Sequence, residues 1–287
     1  MRPSSPPEPP PAPARVLAVG GSDPSGGAGI QADLKTLTAL GVFGATAVTA
    51  ITVQNTCGVT EVMPIPASVV GAQMDAVLDD IGADVIKTGM LHNIDVVRAV
   101  AARVGRAALV VDPVILASDG RELLSRDGVR ALLEELVPRA ALVTPNVPEA
   151  EHLTGVPIQD LEGAGRAAER LLALGAAAVL VKGGHLPGNE EEVTDLLRTV
   201  DGEEYRFSGP RIVTRAGHGT GCTLASAIAA GVAEGLTLRD AVQRGRDYLV
   251  AALRRAPILG RGSGPLWHPN ADPEGAGGEP SGDPRAQ

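Results

Sequence analysis

Aromatic side chains are nearly missing from this chain: across 287 residues, Phe, Trp and Tyr together make up 2%. A core built from it must therefore be packed with Val, Leu, Ile and Ala. A flat ligand must be gripped by aliphatic or sulfur side chains rather than stacked on Trp. Cysteine is as scarce, and the two present, Cys57 and Cys222, form neither a disulfide framework nor a repeated metal-ligand spacing. Positive charge is in deficit. The net charge is −9, and no stripe of Lys and Arg supplies the basic face that a nucleic-acid binder needs. No apolar run reaches the ~18 residues that span a bilayer, so no membrane partner is expected. The first residues, 1–14, are rich in proline and lack the apolar stretch of a secretory signal. A cytoplasmic protein is the expectation.

What remains is the composition of a folded enzyme-sized chain, 44% hydrophobic with 21% charged residues. Residues 1–14 read as a proline-rich disordered extension and residues 269–287 as an acidic Gly/Pro tail. Between them, residues 15–268, short apolar runs alternate with helical patterns. Strands are expected at Arg15–Gly20, Ala45–Val53, Asp84–Gly89, Ala108–Asp112, Ala141–Asn146 and Ala178–Gly184. Helices are expected over Gly27–Gly41, from Pro66 to Gly82, and over Arg166–Gly175. Val193 to Ser208 reads as an antiparallel hairpin turning at Asp201-Gly202. Wholly apolar strands separated by helices imply an α/β fold, three layers thick, with a mostly parallel central sheet. Ligands then belong at the C-terminal ends of the strands.

Two glycine loops stand out. The first, Gly20 to Gly29, follows the first strand and nearly fits two phosphate motifs. Gly27-Ala28 stands where a Walker loop would carry Lys-Ser/Thr, and no acid follows at the distance that a dinucleotide fold uses to hold a ribose. The loop is either a sharp strand-to-helix turn or a place where a substrate lies close to backbone. The second runs from Gly217 to Cys222 into the helical string TLASAIAAGVAEG. Backbone N–H groups at such a helix start converge on an anion, aided by the helix dipole. On local grounds, Cys222 in that field should be acidified and able to serve as a base. The plainer alternative is a capped helix with a buried cysteine.

Three further spots end strands. Asn146 and Glu149 form N-x-x-E, and Asp112 ends an apolar run; each suits either hydrated magnesium or a cap and a turn. Lys182 lies before two glycines, placed to reach a phosphate or simply to be solvated. The five histidines are scattered and read as non-metal.

Taken together, GSDPSGGAGIQADLKT, VTAITVQNT, KTGML, VDPV, TPNVPEAE, VKGGH, HGTGCTLASAIA and the closing GSGPLWH resemble the hydroxymethylpyrimidine/phosphomethylpyrimidine kinases of thiamine biosynthesis. The strings occur in family order over about residues 15–268. The resemblance implies a ribokinase-like fold. It also implies ATP- and magnesium-dependent phosphorylation of 4-amino-5-hydroxymethyl-2-methylpyrimidine and then of its monophosphate, and a homodimer. By position, Gly21, Asp33, Gln54, Met90 and Val114 would line the pyrimidine site. Cys222 would be the base, Gly219, Thr220 and Gly221 the anion hole, and Lys182 the contact to β- and γ-phosphates. Asp112, Asn146 and Glu149 would organise the nucleotide and its metal. Ala216-Gly217 departs from the Asn-Thr that the family carries before HGTGC. A pyridoxal or pyridoxine kinase is the alternative function, and a non-catalytic pyrimidine sensor a more distant one. A lid is expected around Ala117–Gly120 or Pro187–Glu192.

Overall fold

Strands that are apolar on both sides can be accommodated only beneath two helical layers, and the chain is arranged in that way. The computed structural model describes residues 12–117, 120–186 and 191–268. β1 (Arg15–Ser22) leads through the first glycine loop into α1 (Gly29–Ala39), and β2 (Phe43–Asn55) with β3 (Gly58–Pro64) makes a hairpin. α2 (Ala67–Asp80), β4 (Val85–Thr88), α3 (Ile94–Ala101), β5 (Ala108–Val111) and α4 (Arg126–Ala131) follow. Next come β6 (Leu142–Val143), α5 (Val147–Thr154), α6 (Leu161–Ala173) and β7 (Ala178–Val181). A second hairpin, β8 (Glu192–Thr199) and β9 (Glu204–Pro210), precedes α7 (Thr220–Ala233) and α8 (Leu238–Arg254).

The nine strands form one sheet in the order β3-β2-β1-β4-β5-β6-β7-β8-β9. Its centre, β2 to β7, is parallel, and both edges are antiparallel hairpin strands. Successive strand residues face opposite layers. Leu17, Ile86, Leu109 and Val179 pack under α2 to α6, while Val16, Val85, Val110 and Leu180 pack under α1, α7 and α8. Each such fully buried side chain contributes about 1.5–3 kcal/mol, and the core is aliphatic as the composition requires.

Two expected strands are shorter than their apolar runs. β6 stops at Val143 because Pro145 has no N–H to give and Asn146 turns to cap α5. β7 stops at Val181, and the chain then makes a short turn at Gly183–His185. Apolar runs and alternation pass over β3, whose Glu61, Met63 and Pro64 face water. The tails and the two lid candidates fall wholly or partly outside the described residues: 1–11, 118–119, 187–190 and 269–287.

Candidate functional site

The C-terminal ends of β1, β4, β5, β6 and β7 meet along one edge of the sheet, and the chemistry-bearing residues collect there. The first loop is shaped by Asp23, only 2% exposed. Its carboxylate accepts from the backbone N–H groups of Ser25 and Ala28, both at 2.8 Å, and from the Ser25 hydroxyl at 2.9 Å. The second loop closes against the first. Gly219 has φ of +86° and caps α7, and a Cβ there would stand 1.8 Å from the Gly27 carbonyl oxygen. Only glycine can hold that position. The N–H groups of Thr220, Gly221 and Cys222 begin α7 and so have no partner within the helix.

Facing this helix start is a charged cluster. Lys182 Nζ donates to Asp112 Oδ1 at 2.8 Å and lies 3.9 Å from Glu149 Oε2. A Cβ on Gly221 would sit 3.4 Å from Lys182 Nζ and 3.5 Å from Asp112 Oδ2, so helix, ammonium and carboxylate surround one small space. Burial works to lower the Lys182 pKa, but the charges of Asp112 and Glu149 outweigh it and raise it. Asp112 is the mirror case: burial pushes it up, and Lys182 with Lys87 brings it below the usual range. Burial, reinforced by Asp112, lifts Glu149 to about 7 against the pull of Lys182.

Beside this cluster lies a small apolar slot. Met90 is 8% exposed and packs with Ala50, Leu123, Val62 and Val114. A Cβ on Gly21 would come within 3.0 Å of Met90 Sδ, so glycine keeps the slot's wall flat. The Gln54 amide lies between Thr52 and His218.

Several expectations need correction. Asp33 does not face the slot: it is 1% exposed, and its Oδ1 accepts from Lys87 Nζ at 2.8 Å and Ser226 Oγ at 2.7 Å. It lies under the site as the partner of a buried lysine. Asn146 takes the cap that its spacing also allowed, without contradicting its expected nucleotide role: it accepts from Glu149 N while Glu149 Oε2 accepts from Asn146 N, both at 2.8 Å. Cys222 is not acidified. Removal from water is the strongest influence on its thiol; with Asp33 and Asp112 it outweighs Lys87 and the Gly29 N–H and pushes the pKa up to about 11. Lys87 and His218 escaped the sequence reading because their partners lie far away in the chain, and Asp23 because a carboxylate that ties down its own loop carries no recognised motif. Ala216 is buried against Ala252 and Leu266, and Gly217 N donates to Ser263 Oγ at 3.1 Å. The departure from Asn-Thr therefore leaves the loop backed by the closing GSGP segment.

Asp112 and Glu149 are two carboxylates, and among the described residues no group of three or more such ligands forms a metal cage. Two carboxylates beside a lysine fit magnesium that arrives on a nucleotide and keeps its waters.

The sequence pattern of the family described as phosphomethylpyrimidine kinase matches residues 23–267. The chain belongs to that family. It is 50% identical to the hydroxymethylpyrimidine/phosphomethylpyrimidine kinase of Rhizobium meliloti over 88% of this chain and 96% of that one. It is 51% identical to the thiamine biosynthesis bifunctional protein ThiED of Geobacter sulfurreducens over 88% of its length, but spans only 52% of that longer protein. Among solved structures, the pyridoxal kinase of Staphylococcus aureus in complex with ADP superposes with a TM-score of 0.83. That match covers 90% of this chain and 94% of the other at 32% identity. The family therefore has the ribokinase-like, three-layer architecture that the motifs implied.

Proposed function

We propose that this protein transfers the γ-phosphoryl group of ATP to the hydroxymethyl group of 4-amino-5-hydroxymethyl-2-methylpyrimidine, and then phosphorylates the resulting monophosphate. The observation that carries the reading is the meeting of the Gly219–Cys222 helix start with Lys182 and Asp112 beside the Met90–Val114 slot. Met90 and Val114 grip the ring from its faces, Gly21 lets it approach the backbone, and Gln54 bonds its edge. The N–H groups of Gly219, Thr220, Gly221 and Cys222 stabilise the charge on the transferring phosphoryl group. Lys182 serves the β- and γ-phosphates, and Asp112 and Glu149 would hold magnesium, which would neutralise phosphate charge. Cys222, as its thiolate, takes the proton of the attacking hydroxyl. Phosphoryl transfer depends mainly on positioning and charge neutralisation, so this set is sufficient.

The reading extends to a cytoplasmic enzyme that acts as a homodimer without nucleic-acid or membrane partners. No helix among the described residues is long and apolar enough to cross a membrane. The outer face of the β2–β3 hairpin suits the dimer contact, since Ile51, Val53 and Met63 are 45%, 54% and 52% exposed there. Pyridoxal is the second substrate to consider, because the fold superposes closely on a pyridoxal kinase. A mere sensor would have no need of Lys182, Cys222 and an intact anion loop.

The test is ADP release from ATP and magnesium with the pyrimidine, its monophosphate or pyridoxal supplied separately. Turnover on both pyrimidines is expected. Turnover on pyridoxal alone would move the function to the other vitamin, and binding without turnover would favour the sensor.

A further inference from the structure

β7 ends one residue before Lys182, and the turn that follows is held by side chains rather than by the ladder. Ala178 to Val181 pair antiparallel with Thr199 to Leu196 of β8. Continued in that register, Gly183 would lie opposite Thr194. The chain turns there so tightly that a Cβ on Gly183 would stand 1.8 Å from the Thr194 carbonyl oxygen. The Gly183 N–H donates instead to the side chain of the next residue of β8, Asp195 Oδ1, at 2.7 Å. On the other side of the lysine, Lys182 N donates to the Pro145 carbonyl oxygen at 2.8 Å. The two peptide planes that flank the Lys182 Cα are therefore fixed separately, one by the segment leaving β6 and one by a carboxylate of β8.

Asp195 is 6% exposed, and burial pushes its carboxyl pKa up against the pull of Arg246, the Gly183 N–H and Lys182. A carboxylate in such a place needs a cation and further donors. α8 supplies the cation: Arg246 pairs with Asp195 Oδ2 through Nη1 and donates from Nη2 to the Val193 carbonyl oxygen at 3.2 Å. Arg211 holds the next residue of the turn, its Nη2 donating to the Gly184 carbonyl oxygen at 3.1 Å. Lys182 Nζ pairs with Asp112 and Glu149 and not with Asp195, so Asp195 reaches the lysine through its main chain.

We infer that Asp195 and Arg246 are positioning residues for phosphoryl transfer: the carboxylate fixes the Lys182–Gly183 peptide, and the guanidinium holds the carboxylate in place. With its backbone pinned at both ends, Lys182 presents its ammonium to the start of α7 beside Asp112. A charged acceptor suits the task because its hydrogen bond is stronger than a neutral one. The inference rests on the reading of Lys182 as the contact to the β- and γ-phosphates.

The experiment measures ADP release for two double variants that remove the same charges and differ in the acceptor. Asp195→Asn with Arg246→Met keeps an oxygen for the Gly183 N–H, and Asp195→Leu with Arg246→Met keeps none. With the pyrimidine saturating, the Leu pair should raise KM for ATP about 10-fold and lower kcat by about the same factor, the size of one lost hydrogen bond to a charged group. KM for the pyrimidine should not move. The Asn pair should stay within about threefold of wild type throughout. Equal kinetics in the two pairs would overturn the inference. So would a lower kcat with both KM values unchanged, which is what mere loss of folded protein produces. Should the Leu pair fail to fold, Asp195→Ser, whose hydroxyl is too short to reach Gly183 N, takes its place. In a Lys182→Met background the Leu pair should add no further change, and an additive effect would also overturn the role. Wild-type KM for ATP and kcat in Lys182→Met alone would reject that lysine as the phosphate contact, and the positioning role with it.

Discussion

Cys222 sits between opposed fields: the start of α7 and Lys87 favour its thiolate, while lost hydration and the Asp33 and Asp112 carboxylates disfavour it. The net result, a pKa of about 11, has a kinetic signature. With the thiolate as the proposed base, its fraction below that pKa rises about tenfold per pH unit. We expect kcat to climb with a slope near one between pH 7 and 9. Cys222→Ala should lie about 100- to 10,000-fold lower with a flat profile and nearly unchanged pyrimidine affinity. A wild-type profile as flat as the mutant's would remove Cys222 from the base role. Beneath it, Lys87 is wholly buried, and its 2.8 Å pairing with Asp33 keeps both charges satisfied. Lys87→Met alone leaves a buried carboxylate without its cation and should cost about 3–5 kcal/mol in urea unfolding. Adding Asp33→Leu should recover a large part of that loss. A single mutant as stable as wild type would show that the pair is not needed.

Elements tell a more local story, and here the sequence is easier to read. The start of α5 carries its own signal: Asn146 and Glu149, three apart, form a reciprocal capping box. Asn146→Ala should lower stability by about 1 kcal/mol, visible as a shifted urea midpoint. Glu149→Gln keeps a residue that can cap, so stability should hold while the magnesium requirement for turnover rises. Equal stability losses in both would mean that Glu149 only caps. Apolar runs located the central strands because both of their faces are covered, and the glycine loops were legible because few residues tolerate such turns. β3 was not, since an edge strand with an exposed face carries no strong pattern. The sign of the Cys222 shift was also out of reach. The helix-terminus rule is local, whereas burial, the leading cause, and the Asp33 and Asp112 carboxylates come from the packing of other elements. For the same reason Asp33 looked like a ligand contact until Lys87, 54 residues away, was seen to claim it.

At the scale of the whole molecule, one hairpin separates two tasks. Thr52 and Gln54 on β2 face the site, while Ile51 and Val53 on the same strand, with Met63 opposite Ile51, face outward. An exposed apolar strip at a sheet edge favours a second copy of the chain. Val53→Asp should therefore reduce the mass measured by light scattering from dimer to monomer, and a wild-type mass of one chain would reject the dimer. The packing of the Gly27 carbonyl oxygen against Gly219 bears on how the protein comes into being. The proposed phosphate cradle joins a loop near residue 27 to one near residue 219, backed by Gly264, whose carbonyl oxygen accepts from His218 N at 3.2 Å. A nascent polypeptide can collapse its early strands on the ribosome, but this meeting of loops cannot close until residues 217–264 have emerged. Contacts so distant in sequence are slow to close, so during refolding the return of turnover should lag behind the return of helical signal. A chain truncated before Gly264 should then fold its early strands and yet show no turnover.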